Sequence, residues 1–114
     1  MKIVNLTRNK SLADNCIHAD SFLSRFKGLM LKKNISPGSG LLIKPCSSIH
    51  MFFMRFSIDV IFIDRDNVII HTMSGIKPWH VSPFIKGSKS VLELPEGTIV
   101  ITGTNKGDKI SFEG

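Results

Sequence analysis

Residues Ser48–Asp64 read SIHMFFMRFSIDVIFID, and this stretch decides the fold class. Five of its seventeen residues are Ile or Val, four are Phe and two are Met. β-Branched and aromatic residues favour extended strands over a helix. The run is shorter than a membrane-spanning helix and charged residues interrupt it, so we expect it to lie in a folded core. It predicts two strands, Ile49–Met54 and Asp59–Ile63, joined by a bend at Phe56-Ser57.

The rest of the chain divides at turn-forming residues into further short strands. We predict these strands at Lys2–Thr7, Asn15–Ala19, Leu41–Ile43, Val68–Met73, Ser90–Leu94 and Lys109–Phe112. The turn Asn9-Lys10-Ser11 should fold the second of them back on the first as a hairpin. An apolar stripe at helical spacing predicts one short helix near residues 21–29, whereas Thr98–Ile101 fits either a strand or a single helical turn. The pattern is that of a mainly β protein, a small antiparallel sandwich or barrel.

Length and charge limit the classes of partner. The 114 residues suffice for one domain, 1–114, and we expect it to be a monomer. The net charge is +6, and residues 1–55 carry nine Lys or Arg against two Asp. These cations are scattered rather than clustered, so nucleic-acid binding is not favoured. Cys16 and Cys46 are thirty residues apart, which favours buried thiols, although sequence alone leaves their pairing open. No apolar leader opens the chain, so we expect a cytoplasmic protein without a membrane span.

Four blocks of the sequence are similar to a known family. They are Lys27–Met30, His50–Arg55 with Ile58–Asp64, Val91–Gly97, and Gly107-Asp108. In this order they resemble the bacterial and archaeal family known as domain of unknown function 192, and Lys77-Pro78-Trp79 resembles its Gram-positive versions. The first block usually begins with Arg rather than Lys27, and Pro is common where Ser57 stands. The resemblance implies a compact jelly-roll-like β domain and no established activity.

Polar residues that interrupt apolar strands are the candidate site residues. A charge in an apolar run costs several kcal/mol unless it finds a partner. Arg55 and Asp59 flank the bend and could pair across it, and Glu93 interrupts the strand Ser90–Leu94. Such groups form either a structural ion-pair network or a ligand pocket lined by His50, Arg55, Asp59 and Glu93, with Trp79 as its aromatic wall. A lone Trp in a proline-rich loop such as 75–87 more often pins the loop to the core than binds a ligand.

No catalytic motif accompanies these residues. The chain lacks a nucleophile elbow, a phosphate loop and a zinc-protease motif. Its four His residues are dispersed without metal-ligand spacing, so we expect no metal and no cofactor. The interpretation that fits best is a non-enzymatic β domain that binds a small ligand, a glycan or a protein segment. The alternatives are an enzyme with a carboxylate–histidine site, or weak nucleic-acid binding through the basic N-terminal half.

Overall fold

A computed structural model describes residues 1–19, 34–51 and 54–114. This part of the chain contains eight strands and one short helix. They are β1 (Lys2–Asn5), β2 (Lys10–Ala13), β3 (Asn15–Ala19), β4 (Ser39–Ile43), β5 (Ile58–Ile63), β6 (Ile69–Ile76), β7 (Ser90–Pro95), α1 (Thr98–Thr102) and β8 (Ile110–Glu113). The mainly β prediction is confirmed. The helix predicted near residues 21–29 lies outside the described residues.

The strands form two sheets that face each other rather than a closed barrel. The smaller sheet has the order β2-β1-β8, and the larger has the order β3-β4-β7-β5-β6. All neighbours are antiparallel except β3 and β4, which run parallel. The predicted hairpin partner of β1 is therefore wrong, because β2 takes that place. The chain reverses over residues 6–9, where Asn9 has a positive φ of 54°, and this reversal lies earlier than the predicted turn.

The central strands β4, β7 and β5 of the larger sheet are buried on both faces, which explains the continuous apolar run of β5. Successive side chains of a strand point to opposite faces. Ile58, Val60 and Phe62 enter an outer cluster with Met51 and Met54, whereas Ile61 and Ile63 enter the cluster between the two sheets. Burial on both faces removes the apolar–polar alternation of a half-exposed strand. The second half of the quoted stretch is thus the centre of the core.

The first half of that stretch is buried without forming the predicted strand. Ile49, Met51 and Met54 are buried, yet in the described residues 49–51 and 54 the ladder is limited to one isolated bridge between His50 and Val81. The partner of this segment is a loop, not a strand of the larger sheet. Residues 52–53 lie outside the described part of the chain.

The ambiguous segment after β7 forms the helix α1. Gly97 precedes it at φ 99° and Gly103 follows it at φ 69°, both in the left-handed region that favours glycine. Ile99 points inward, whereas Val100 and Ile101 are 76% and 82% exposed. Within residues 1–19, 34–51 and 54–114 we find no helix with the length and apolar character needed to cross a bilayer.

Candidate functional site

Residues 77–87, which we call the aromatic loop, are held to the core by main-chain hydrogen bonds. The partner is the connecting segment, residues 44–51, which follows β4. Trp79 N donates to Met51 O at 2.8 Å, and Met51 N donates to His80 O at 2.7 Å. Farther along, Ser82 N donates to Ile49 O at 2.9 Å, while Ile49 N donates to Ser82 Oγ at 2.9 Å. These bonds hold the loop backbone to the connecting segment.

The large side chains of the aromatic loop face outward. Trp79 is 60% exposed, Val81 58% and Phe84 72%. The expectation that Trp79 pins the loop by burying its indole is therefore wrong, because the main-chain bonds do the pinning. Trp79 also has a φ of 67°, and a left-handed conformation costs a non-glycine residue about 1–2 kcal/mol. Outliers of this kind cluster at functional sites, where the surrounding structure maintains them.

His50 belongs to the same region of the surface. His50 is half-buried and lies directly opposite Val81 in the isolated bridge. Hydrogen bonds on both sides of this pair, from Met51 N and from Ser82 N, make it the non-hydrogen-bonded type. The N–H and C=O of Val81 consequently point away from the connecting segment. Arg55 follows this segment in sequence and is exposed.

Asp59 is fully buried, and its carboxylate is occupied by the main chain. Oδ1 accepts the N–H of Gly75 at 2.9 Å. Oδ2 accepts the N–H groups of Gly97 at 3.1 Å and Ile99 at 2.8 Å. The first bond braces the irregular register between β5 and β6, and the other two cap α1, whose own N-cap residue is a glycine without a side-chain bond. Asp59 is thus a structural group that joins three segments.

The pairing of Arg55 with Asp59 is not formed. In the described residues the ion pair is that of Arg8 with Asp108, at 2.9 Å from Nε to Oδ2. Arg55 is exposed while Asp59 is fully buried. Among the described residues, no ion pair crosses the bend, and Arg55 and Asp59 differ fully in exposure.

Glu93 lies on the opposite face of the larger sheet from Asp59. Its register partners are Leu41 on β4 and Val60 on β5, and both belong to the outer cluster. Asp59 is paired with Leu94, which belongs to the cluster between the sheets. Because directly paired residues share a face and successive residues alternate, the two carboxylates cannot line one pocket. Glu93 is fully buried within an apolar environment.

The five predicted site residues therefore divide into two groups. Trp79 and His50 are brought together by the loop ladder, and Arg55 is exposed just beyond the connecting segment. Asp59 and Glu93 are buried on opposite faces of the larger sheet. Val81, a further exposed neighbour of Trp79, is not predicted from sequence. The signal that could have found it is the clustering of three large apolar residues in a loop that also contains two prolines.

The two cysteines are free thiols with different surroundings. Cys16 is buried, and loss of hydration raises its pKa to about 11, against smaller opposing effects of the N-terminal charge and a hydrogen bond with the main chain of Leu42. Cys46 is half-buried, and its Sγ lies 3.0 Å from Ser48 O. A thiol with a raised pKa is a poor nucleophile at neutral pH. In residues 1–19, 34–51 and 54–114 no three His, Cys, Asp or Glu side chains converge on a metal site.

A buried polar network stands apart from this surface. Asn5 is fully buried and donates to Thr104 Oγ1 at 3.1 Å and to Asp108 Oδ2 at 3.0 Å. Asp108 also accepts from Arg8 Nε and from Asn105 N, at 2.9 Å each. Burial raises the pKa of Asp108, but the hydrogen bonds from Arg8, Asn5 and Asn105 and the charge of Arg8 outweigh it, so that the pKa lies below its usual value. This network ties the end of β1 to the turn before β8.

Comparison with known proteins identifies the family. The family model for domain of unknown function 192, described as "Uncharacterized ACR", matches residues 4–112. The chain belongs to this family. A UPF0127 protein of Thermococcus sibiricus is 34% identical over 97% of this chain and 74% of its own length. A UPF0127 protein of Pyrococcus horikoshii is 37% identical over 96% of this chain and 97% of its own length.

Solved structures share the fold of this family member. A protein of unknown function from Novosphingobium aromaticivorans superposes with a TM-score of 0.85 at 20% identity, over 98% of this chain and 84% of its own. A Sinorhizobium meliloti protein gives a TM-score of 0.75 at 24% identity, over 96% of this chain and 89% of its own. At these identities the likeness establishes the two-sheet fold. The function of this member of the domain of unknown function 192 family is not established by its relatives.

Proposed function

We propose that this protein is a non-enzymatic binding domain that recognises an acidic protein segment with apolar side chains. The recognition surface comprises Trp79, Val81 and Phe84 of the aromatic loop, together with His50 and Arg55. The observation that carries the proposal is the exposure of three large apolar side chains on a loop whose backbone is fixed by hydrogen bonds. A fixed loop loses little conformational entropy on binding, which favours affinity.

The exposed apolar area is large enough to bind a partner. A Phe or Trp side chain buries about 150–250 Å² when fully covered. At 60% and 72% exposure, Trp79 and Phe84 together still present roughly 260 Å². At about 25 cal/mol per Å² that surface supplies roughly 6–7 kcal/mol before the cost of association. Val81 brings the patch to the size of the largest apolar patches on ordinary monomers, which are often functional.

Charge selects an acidic partner. Residues 46–58 contain Arg55, and residues 75–87 contain Lys77 and Lys86. Neither range contains an Asp or a Glu. Complementary charge accelerates encounter and fixes the register of a partner. This one-sided charge favours an acidic partner segment over a basic one.

The backbone of Val81 favours an extended protein segment over a glycan or a small ligand. Its N–H and C=O point away from the connecting segment, between the exposed side chains of Trp79 and Phe84. An extended peptide can pair with such an edge while its side chains contact the flanking aromatic rings. This arrangement supports the choice among the three ligand classes.

The enzyme alternative has less support. The carboxylates available to pair with His50, Asp59 and Glu93, are both fully buried, and a general base must come within hydrogen-bond reach of its substrate. The oxygens of Asp59 are already bonded to three main-chain N–H groups.

The proposal includes a monomer in the cytoplasm. The two cysteines, which form no disulfide, support this compartment, since reduced thiols are typical of it.

Selection from a display library of random peptides tests the proposal. Enriched peptides should contain Asp or Glu next to aromatic or aliphatic residues and bind with a micromolar Kd. The double variant Trp79→Ala/Phe84→Ala should weaken binding of the synthetic peptides at least 30-fold, since buried aromatic anchors often contribute 2 kcal/mol or more. The matched control, Val100→Ala/Ile101→Ala, removes side chains of even greater exposure from α1 and should bind as the wild type does.

Two outcomes would contradict the proposal. Peptides that bind the Trp79→Ala/Phe84→Ala variant as tightly as the wild type would show that the aromatic loop is not the recognition surface. An oligodeoxythymidine that binds at low salt more tightly than any peptide, and loses binding in the same variant, would replace the protein partner with single-stranded nucleic acid, for which aromatic stacking is the usual mode of contact.

A further inference from the structure

A second concave site lies at one end of the larger sheet, where the strands β3, β4 and β5 end and β7 begins. It is a cleft of about 430 Å³, which we call the cationic cleft. Its lining residues are Met1, His18, Leu42, Lys44, Asp64, Arg65, Asn67, Lys89, Ser90 and Phe112. Its volume is within the range of small-molecule pockets.

Main-chain hydrogen bonds at the strand ends fix the backbone of two cationic residues of the cleft. Lys44 N donates to Ala19 O at 3.1 Å, just beyond the parallel pair β3–β4. Lys89 N donates to Ile63 O at 2.8 Å and thereby joins the start of β7 to the end of β5. Arg65 lies in the turn between β5 and β6. Three cationic residues from three different connections thus converge on one opening.

Within the described residues, no ion pair neutralises the cations of the cleft. Asp64 is the acidic residue among the lining residues, and its Oδ1 already accepts the N–H groups of Asp66 and Val68, at 2.9 Å each. In the part of the chain that the structure describes, the ion pair is that of Arg8 and Asp108, outside the cleft. Like charges gathered in a cleft repel one another and raise the local concentration of an anion.

Apolar side chains form the inner wall. Leu42 is buried in the cluster between the sheets, and Phe112 is partly buried against it. A cleft with cations at its opening and an apolar inner wall suits a ligand that has an anionic group and an apolar body. We propose that the cationic cleft binds a small organic anion, whose carboxylate or phosphate contacts Lys44, Arg65 and Lys89 and whose apolar body packs on Leu42 and Phe112. This site is separate from the aromatic loop and stands independently of the function proposed for it.

Isothermal titration calorimetry with three probes tests the inference on the full chain. Octyl phosphate and octanoate should each bind with a Kd below about 1 mM. Inorganic phosphate should bind at least tenfold more weakly than octyl phosphate, since burial of two methylene groups already gives about that factor. The tighter of the two organic probes identifies the preferred anionic group.

Substitutions separate the cleft from general charge effects. Lys44→Gln/Lys89→Gln should weaken binding of octyl phosphate about fivefold to twentyfold, the effect of removing two partly exposed cations. Lys10→Gln/Lys106→Gln makes the same change in net charge at exposed sites outside the cleft and should bind as the wild type does. The inference would be overturned if neither organic probe binds below about 1 mM, if the two double variants bind alike, or if inorganic phosphate equals octyl phosphate.

Discussion

Asp59 makes the sharpest prediction, because its carboxylate accepts three main-chain N–H groups from positions 16, 38 and 40 residues away. Replacement of Asp59 by Asn keeps the shape and leaves one acceptor oxygen. The new NH2 group donates but does not accept hydrogen bonds, and it then faces at least one main-chain N–H that has lost its acceptor. A hydrogen bond to a charged group contributes about 1.5–3 kcal/mol, so the Asn variant should lose about 2–3 kcal/mol of unfolding free energy.

Urea denaturation followed by circular dichroism measures this loss. The midpoint should fall with little change in slope, and the melting temperature should fall by roughly 8–15 °C. Asp59→Ala removes all three bonds and should cost about 4–5 kcal/mol, a large part of the 5–15 kcal/mol that stabilises an ordinary domain. Asp66→Asn is the control: Asp66 is exposed, and such substitutions usually stay within about 0.5 kcal/mol.

A local readout separates capping by Asp59 from a general effect on the core. In the Asn variant, amide hydrogens of α1 and of Gly75 should exchange faster than those of β4, because the lost bonds brace β6 and the start of the helix. The reasoning would be refuted if Asp59→Asn lost no more stability than Asp66→Asn, or if exchange increased equally in β4 and α1.

Three further predictions concern other groups. The pKa of Asp108 is lowered in the folded protein, so its charge stabilises the fold above the unfolded pKa of about 3.9 and loses this effect as pH falls through the folded value. The stability advantage over Asp108→Asn in urea melts should therefore be constant near pH 6 and shrink below about pH 4. Cys46 should react with a thiol reagent at pH 8 well before Cys16, whose pKa of about 11 keeps it protonated; equal rates would contradict the assignment. Phe84→Ser should change unfolding free energy by less than about 0.5 kcal/mol, since Phe84 is exposed, and a larger loss would show that it packs on the core.

Sequence predicts the bounds of β3 without error and those of β5 and β7 to within one residue. The continuous apolar residues of β5 and β7 leave few alternatives. The pairing of β3 had no such signal. The parallel pairing of β3 with β4 depends on the tertiary arrangement. The chain reverses before β2 over residues 6–9, with Asn9 in the left-handed region, whereas the turn predicted from sequence is Asn9-Lys10-Ser11.

Only part of the candidate site could be predicted from sequence, and the physical reason differs from one residue to the next. Sequence singles out Trp79 and His50 because both interrupt ordinary patterns, and the loop ladder brings their segments together. The exposure of Trp79 depends on a ladder between two irregular segments, which no periodicity reveals. Asp59 stands out as a charge in an apolar strand, but its main-chain partners lie in β6 and at the start of α1. Sequence could not distinguish a distant helix cap from a ligand group.

The most direct test of the binding proposal uses Trp79, which is the one tryptophan in the chain. An acidic peptide from the display selection is added while the intrinsic emission of Trp79 and its quenching by acrylamide are recorded. The proposal predicts a blue-shifted emission and reduced quenching that saturate at the same Kd as anisotropy of the labelled peptide, because the partner covers the exposed indole. Saturable binding that leaves the emission and the quenching of Trp79 unchanged would contradict it.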